Sequence, residues 1–295
     1  MFPRVPDQHK VGKPLIPNGL GVVFVLFTTV YLFSMYFLLD FWYQPENPAT
    51  DITFIAPLVL AVCVLFGGFM GLLDDWIDLK WRYKAFMPLI ASLPLAYFAY
   101  ANGFRWTISW LPFLDQNVYC FVVIPVIVMI VTNTVNQLGG LNGLETVCPA
   151  VVLVGLLVAS ELLSMPYFVL MFGPLLFWLI LSTLNFQGKI FVGNSGSFAI
   201  GITIAAFAVI TDLKLCMAVS ILPFVFNSVL ILLTIFFIRK KASVSFDGRK
   251  LVSDHKRSLV TLITYKRPLT ERQVVIIISL LVTLCTAIGV LIEIL

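Results

Sequence analysis

Apolar stretches of 15 to 25 residues recur along the whole chain, separated by short polar segments. About twenty apolar residues in a helix cross a bilayer, and nine stretches qualify or nearly so: 19–39, 52–73, 86–101, 118–134, 144–163, 167–184, 197–211, 215–238 and 274–295. The third and seventh are the shortest. Prolines 88, 94, 125, 149, 174 and 223 fall inside these stretches, where packed membrane helices tolerate them. The pattern predicts an all-α polytopic membrane protein of about nine transmembrane helices. The segment 102–110 alternates weakly and reads as a short hairpin. No long internal repeat is visible, so an inverted-repeat carrier finds no support.

Composition agrees with the pattern. Of 295 residues, 60% are hydrophobic and 12% charged, against about 25% charged in soluble domains, and the mean hydropathy is +1.01. The five cysteines lie mostly in apolar stretches without CxxC spacing and read as small hydrophobes. The first seventeen residues are polar and basic, with no apolar core of a cleavable signal. Charge placement sets the expected orientation. Arg4, Lys10 and Lys13 precede the first span, Lys80, Arg82 and Lys84 follow the second, and ten bases with three acids fill 239–272. Strict alternation from a cytoplasmic N-terminus puts every clearly basic loop inside.

That alternation also gathers four polar segments on the cytoplasmic face. Asp74, Asp75 and Asp78 end the second span and are followed by Lys84. On a continuous helix their spacing crowds all three carboxylates on one side, where the helix dipole disfavours negative charge. The positive partner is either the neighbouring Lys and Arg or a divalent cation with a phosphate. In 132–145, TNTVNQLGGLNGLE, Asn133 and Asn136 offer hard oxygen ligands suited to Mg²⁺ and Gly143 allows close backbone approach, unless the segment is a plain glycine-rich turn. In 189–201, Gly-Asn-Ser-Gly-Ser opens a span, either as an anion site or as a simple N-cap. The basic 239–272 loop, with Arg249 and Arg257, is either a positive-inside feature or a flap for a diphosphate, and its 259–265 portion reads as an interfacial amphipathic piece. Spans nearly free of ionisable groups at their middles disfavour a transporter.

Taken together these motifs resemble the polyprenyl-phosphate N-acetylhexosamine-1-phosphate transferase family, in particular its archaeal and eukaryotic dolichyl-phosphate branch. LLDDWIDLKWRYK is similar to the DDxxD signature with its following lysine, NTVNQLGGLNGLE to NxxNxxxGxNGLE, and FVGNSGS to FxGDxxS; the Pro-Leu-Thr-Glu-Arg run before the last span is similar too. The resemblance covers nearly the whole chain. It implies one integral membrane transferase domain over 1–295, with 239–272 as a basic cytoplasmic loop within it. The implied reaction moves a sugar-1-phosphate, GlcNAc-1-phosphate foremost, from a UDP-sugar to a polyprenyl or dolichyl phosphate and releases UMP, with Mg²⁺ or alternatively Mn²⁺.

Residue by residue, the resemblance makes Lys84 a diphosphate contact and Asn136 and Asn194 the metal ligands. Asp74 and Asp75 position or deprotonate the acceptor phosphate, with Asp78 in support. Asn142 and Phe191 hold the uracil, and Asn133, Gly143, Arg249 and Arg257 complete the substrate-binding set. The expected partners are UDP-GlcNAc, the polyprenyl or dolichyl phosphate, membrane lipids and a second copy in a homodimer, with no nucleic acid. The expected location is the cell membrane of a prokaryote or the endoplasmic reticulum of a eukaryote, with the site facing the cytoplasm. Three departures stand out. Asn194 replaces the metal-binding Asp, Ile16-Pro17-Asn18 replaces Ile-Pro-Glu, and the family's usual ten helices include one ahead of this chain's first. Of the bacterial branch's histidine cluster only His255 is present, which argues against a muropeptide-precursor enzyme. The second reading is therefore a catalytically impaired relative that binds UDP-sugar or partners an active subunit.

Overall fold

A computed structural model describes residues 2–42, 52–106, 114–163, 165, 167–239 and 242–295. Among them, eight helices are long and apolar enough to cross a membrane, and a ninth crossing is a bent pair. The chain is an all-α polytopic membrane protein, and all nine predicted spans appear. The two shortest predicted stretches both come out longer than their apolar cores. The third runs over Trp81–Ala101 and the seventh over Gly193–Ile210. Their polar motif residues, Lys84 and Asn194, occupy first helical turns, which an apolar count cannot register.

In chain order, the hairpin β1 (Arg4–Pro6) and β2 (Leu15–Pro17) precedes α1 (Gly21–Trp42) and α2 (Ile52–Ile77). The third span is α3 (Trp81–Ala91) with α4 (Leu93–Ala101), separated at Ser92, two residues before Pro94 in the first turn of α4. A short α5 (Gln116–Val118) continues through a π-helical turn into α6 (Ile124–Gln137). Next come α7 (Leu144–Leu162), α8 (Phe168–Phe186) and α9 (Gly193–Ile210). The eighth span is α10 (Lys214–Ser220) and α11 (Leu222–Leu233), bent by 51°, with Pro223 in the first turn after the break. The hairpin β3 (Ser245–Phe246) and β4 (Leu251–Val252), the short α12 (Leu259–Ile263) and α13 (Glu271–Ile294) complete the chain.

The bundle is built around α9, which is buried at every residue from Ser195 to Ile210. Its sequence, SFAIGITIAAFAVI, is apolar and small all round, the composition that lets neighbouring backbones approach inside a membrane. Helices α2 and α6 pack most extensively on it. At Gly71 of α2 the two backbones touch, and any side chain there would collide with the Asn194 carbonyl. The outer faces carry exposed Phe37, Tyr97, Leu176, Phe237 and Leu284, an apolar surface that only a lipid environment would cover.

Two sequence expectations need correction or limits. The 259–265 segment does not lie free at an interface. Leu259 and Thr261 of α12 are buried, and the Leu259 amide donates to Asn227 Oδ1 on α11 at 2.9 Å. Ser258 and Thr261 form a reciprocal cap that fixes where the piece starts. The 102–110 hairpin falls partly outside the described residues.

Candidate active site

The acidic end of α2 does not form the single crowded face that regular helical spacing implies. The helix stops at Ile77, and Asp78 takes a left-handed conformation with φ +44°. Buried Asp74 stops it: its Oδ1 accepts from the Leu79 amide at 3.1 Å and from Lys84 Nζ at 2.7 Å. Exposed Asp78 stands 3.4 Å from the same ammonium. Lys84, in the first turn of α3, thus supplies the positive charge that the dipole end of α2 needs.

Asp75 points to the central helix instead. Its Oδ1 accepts from the Asn194 amide at 2.9 Å and its Oδ2 from the Ser195 amide at 3.0 Å. The first turn of a helix leaves N–H groups without intrahelical partners, and here the chain's own carboxylate takes two of them. The Gly-Asn-Ser segment, for which the sequence allows either an anion site or a simple N-cap, therefore has its amides occupied by an internal anion. Beside it, Asn136 Nδ2 donates to Asn194 Oδ1 at 2.9 Å and to Ser197 Oγ at 2.7 Å. The two residues assigned to a metal do meet, as a neutral amide pair.

The donor set suits a hard cation in one respect. Asp74 Oδ2 is buried without a hydrogen-bond partner, and an orphaned carboxylate oxygen is a donor that a divalent, oxygen-seeking ion can use. A separate acidic group lies near the N-terminal hairpin, where Asp7, His9 and Glu271 offer ligand atoms within 4.8 Å of one another. Its carboxylates already accept hydrogen bonds: Asn142 Nδ2 donates to Asp7 Oδ2 at 2.8 Å and to Glu271 Oε1 at 2.9 Å.

These bonds frame a pocket of about 160 Å³ containing Asn142, Phe191, Glu145 and His9. Phe191 is fixed because 17–21 pairs with the chain entering α9: the Phe191 amide donates to the Pro17 carbonyl at 2.8 Å and the Leu20 amide to the Phe191 carbonyl at 3.2 Å. Asn142 Oδ1, by contrast, is buried and unpartnered. A neighbouring cleft of about 380 Å³ shares Gln8, His9, Gly140 and Leu141 and extends to Gln137, Asn227, Ser258 and Thr261.

The remaining predicted residues divide by placement. Gly143 caps α7 with φ +99° and donates to Asn185 Oδ1 at 2.7 Å. A Cβ there would lie 2.6 Å from the Phe186 ring, so Gly143→Ala should destabilise the protein by about 1–3 kcal/mol. A lower midpoint of thermal unfolding in detergent would register it, and an unchanged midpoint would contradict the packing described. Asn133 is turned away, with Nδ2 donating to the Ala85 and Met129 carbonyls at 3.0 and 2.8 Å. Half-buried Arg257 donates its backbone N–H to Thr261 Oγ1 at 2.8 Å, beside the cleft. Arg249 is exposed in the β3–β4 turn, where the Lys250 and Arg249 amides hold the Asp247 carboxyl below the usual aspartate range.

Several residues of this region carried no role expected from the sequence. Asp7 and Glu271 anchor Asn142, Asn185 braces Gly143 and Thr146, and Asn227 ties α11 to α12 and to the Gln137 carbonyl. An Asn inside an apolar stretch, as at 227, or directly at the end of one, as at 185, was the available signal. Glu271 belongs to the Pro-Leu-Thr-Glu-Arg run, but its bond to Asn142 was not legible, and Asp7 gave no signal, because the partner of each is more than 120 residues away.

Comparison with known proteins follows the same residues. The profile of glycosyl transferase family 4 matches residues 57–212, which hold the α2 acids, both Asn-rich loops and all of α9. A UDP-N-acetylglucosamine–dolichyl-phosphate N-acetylglucosaminephosphotransferase of Dictyostelium discoideum is 24% identical over 330 residues, covering 96% of this chain and 79% of its own. A Saccharolobus solfataricus protein provisionally given the same name is 27% identical over 294 residues, 92% of this chain and 82% of its own. A phospho-N-acetylmuramoyl-pentapeptide-transferase of Clostridioides difficile is 26% identical over 166 residues, 51% of this chain and 52% of its own.

Proposed function

Since the chain belongs to glycosyl transferase family 4, we propose that it transfers GlcNAc-1-phosphate from UDP-GlcNAc to a dolichyl or polyprenyl phosphate and releases UMP. This would be the step that begins assembly of a lipid-linked oligosaccharide. The named activities of its relatives support this reading. The observation that carries it is the meeting of three separate motifs at one end of the bundle. Asp75 holds the Asn194 and Ser195 amides, and Asn194 in turn accepts from Asn136.

In this reaction an oxygen of the lipid phosphate forms a new bond to the sugar-bearing phosphorus of UDP-GlcNAc. The bond to the bridging oxygen breaks, and UMP leaves with its electron pair. Such chemistry depends on positioning and charge neutralisation. Lys84 faces one diphosphate oxygen from its place beside Asp74. Asn142 Oδ1, buried and unpartnered, accepts from the N3–H of uracil while Phe191 covers the ring. The neighbouring cleft gives the diphosphate and sugar room, with Arg257 near its edge. Asp74, through its free Oδ2, together with Asn136 and Asn194 would hold Mg²⁺, which when bound supplies positive charge to the diphosphate. The bases of 239–272 set this end of the bundle toward the cytoplasm.

A second reading, an impaired relative that binds UDP-sugar, rests on the neutral Asn136–Asn194 pair. Purified protein in lipid with UDP-GlcNAc and dolichyl phosphate should release UMP in a Mg²⁺-dependent manner. No release from this sequence or from a carboxylate variant at 194 would reject the transferase reading. Release only from the variant would establish the impaired one. Lys84→Ala should weaken UDP-sugar binding by about 1.5–3 kcal/mol, the range for a lost charged hydrogen bond. Calorimetric titration with UDP-GlcNAc tests this, and unchanged affinity would remove Lys84 from the site.

A further inference from the structure

Helices α8 and α13 both pack on α7 and leave between them a lateral apolar groove of about 670 Å³. Val151 and Val154 form its floor, Leu179 and Phe186 one wall, and Val275 and Thr283 the other. Past Val154 a further hollow of about 340 Å³ continues between α7 and α8 to Phe168. From Phe186 to Phe168 the path follows α8 for roughly 27 Å at 1.5 Å per residue, close to the thickness of a bilayer's hydrocarbon core. An apolar channel of this length matches a hydrocarbon chain.

Its end nearest the active site is cationic. The Arg272 guanidinium lies 5.9 Å from the centroid of the Phe186 ring, which lines the groove. One helical turn further along α13, Val275 and Ile276 line it as well. Exposed Lys189 follows Phe186 by three residues. Lys10 Nζ, which rests against Gly188, is paired with Asp7 at 3.4 Å. Glu271 beside Arg272 is turned to Asn142, so Arg272 and Lys189 carry the positive charge of the mouth. The N-terminus of α13 adds its partial positive charge. An apolar groove with a cationic mouth is complementary to an amphiphile with an anionic head. None of its lining residues belongs to α2, α3 or α9, the helices of Asp74, Lys84 and Asn194.

We propose that this groove binds an anionic glycerophospholipid, with its headgroup phosphate at Arg272 and an acyl chain along α7 between α8 and α13. A single Arg at a membrane surface adds to anionic-lipid attraction, and its planar fork suits a phosphate. The site is distinct from the place of the reacting diphosphate and needs no turnover to be detected.

Native mass spectrometry tests it on the purified protein. Phosphatidylglycerol, phosphatidylcholine of the same acyl chains and a polyprenyl phosphate are added in equal amounts. Wild type should retain one phosphatidylglycerol about tenfold more than phosphatidylcholine, a difference of about 1.4 kcal/mol. Arg272→Gln should remove the preference, Arg272→Lys should keep most of it, and Thr283→Trp, which fills the groove from its exposed rim, should lose the bound lipid. Equal retention of both phospholipids by wild type, or a preference unchanged in Arg272→Gln, would reduce the groove to ordinary lipid contact and overturn the proposal. Arg272-dependent retention of polyprenyl phosphate in place of phosphatidylglycerol would overturn it in favour of acceptor binding. A dimer abolished by Thr283→Trp, with no bound lipid in wild type, would assign the groove to a second copy. Thermal unfolding of each variant checks folding; if one fails, the wild-type ratio together with Arg272→Lys still decides.

Discussion

Asn194→Asp is expected to raise UMP release by about ten- to a hundredfold at millimolar Mg²⁺, a gain of about 1.4–2.7 kcal/mol in the barrier. The structure explains why the change should be tolerated. Asn194 Oδ1 accepts from Asn136 Nδ2 at 2.9 Å, and a carboxylate in the same place accepts that bond more strongly. Position 194 lies in the first turn of α9, where an acid is favoured by the helix dipole. The opposing term is Asp75, whose carboxylate already binds the amide of the same residue. Two neighbouring carboxylates repel until a cation intervenes, so the variant should need less Mg²⁺ for half-maximal rate and lose stability when chelator is added. Turnover against Mg²⁺ concentration, measured in lipid with dolichyl phosphate, gives the answer. If neither the rate nor the metal dependence moves, position 194 is not a ligand.

Asp75→Asn should lower turnover by at least about a hundredfold and also loosen the entrance of α9. The native carboxylate receives two N–H groups, one on each oxygen. An amide offers one acceptor and sets an NH₂ group against the second N–H. Loss of a helix cap costs about 0.5–2 kcal/mol, so the unfolding midpoint should fall measurably while the protein remains extractable. Asp75→Glu, one methylene longer beside the α2–α9 backbone contact at Gly71, should be no better. Full activity in Asp75→Asn would reject this account. A loss of stability without loss of turnover would leave Asp75 purely a cap.

What the sequence disclosed and what it hid follow from interaction range. The nine crossings were legible because the hydrocarbon core imposes a length on each apolar run. The polar segments 74–84, 132–145 and 189–201 were legible because each interrupts an apolar rule locally. The direction of each carboxylate was not. Helical spacing put Asp74, Asp75 and Asp78 on one face, yet an Asp74 bond to the Leu79 amide ends the helix early and separates them. Nor was the closure of Asn142 by Asp7 and Glu271, since Asp7 does not stand out in its polar surroundings and the Pro-Leu-Thr-Glu-Arg run gives no hint of the partner of Glu271. The two shortest spans were underestimated because their first turns are the site itself.

That closure of Asn142 also bears on how the protein is made. The pocket around Asn142 draws one carboxylate from residue 7 and another from residue 271, contacts separated along the chain by 135 and 129 residues. At a synthesis rate of about 5–20 residues per second, the ribosome reaches Glu271 roughly 6–26 seconds after Asn142. Throughout that interval the Asn142 amide lacks its second anchor. Nucleotide affinity should therefore arise late, after α13 has been made, so that a nascent or truncated chain stays blind to UDP-sugar.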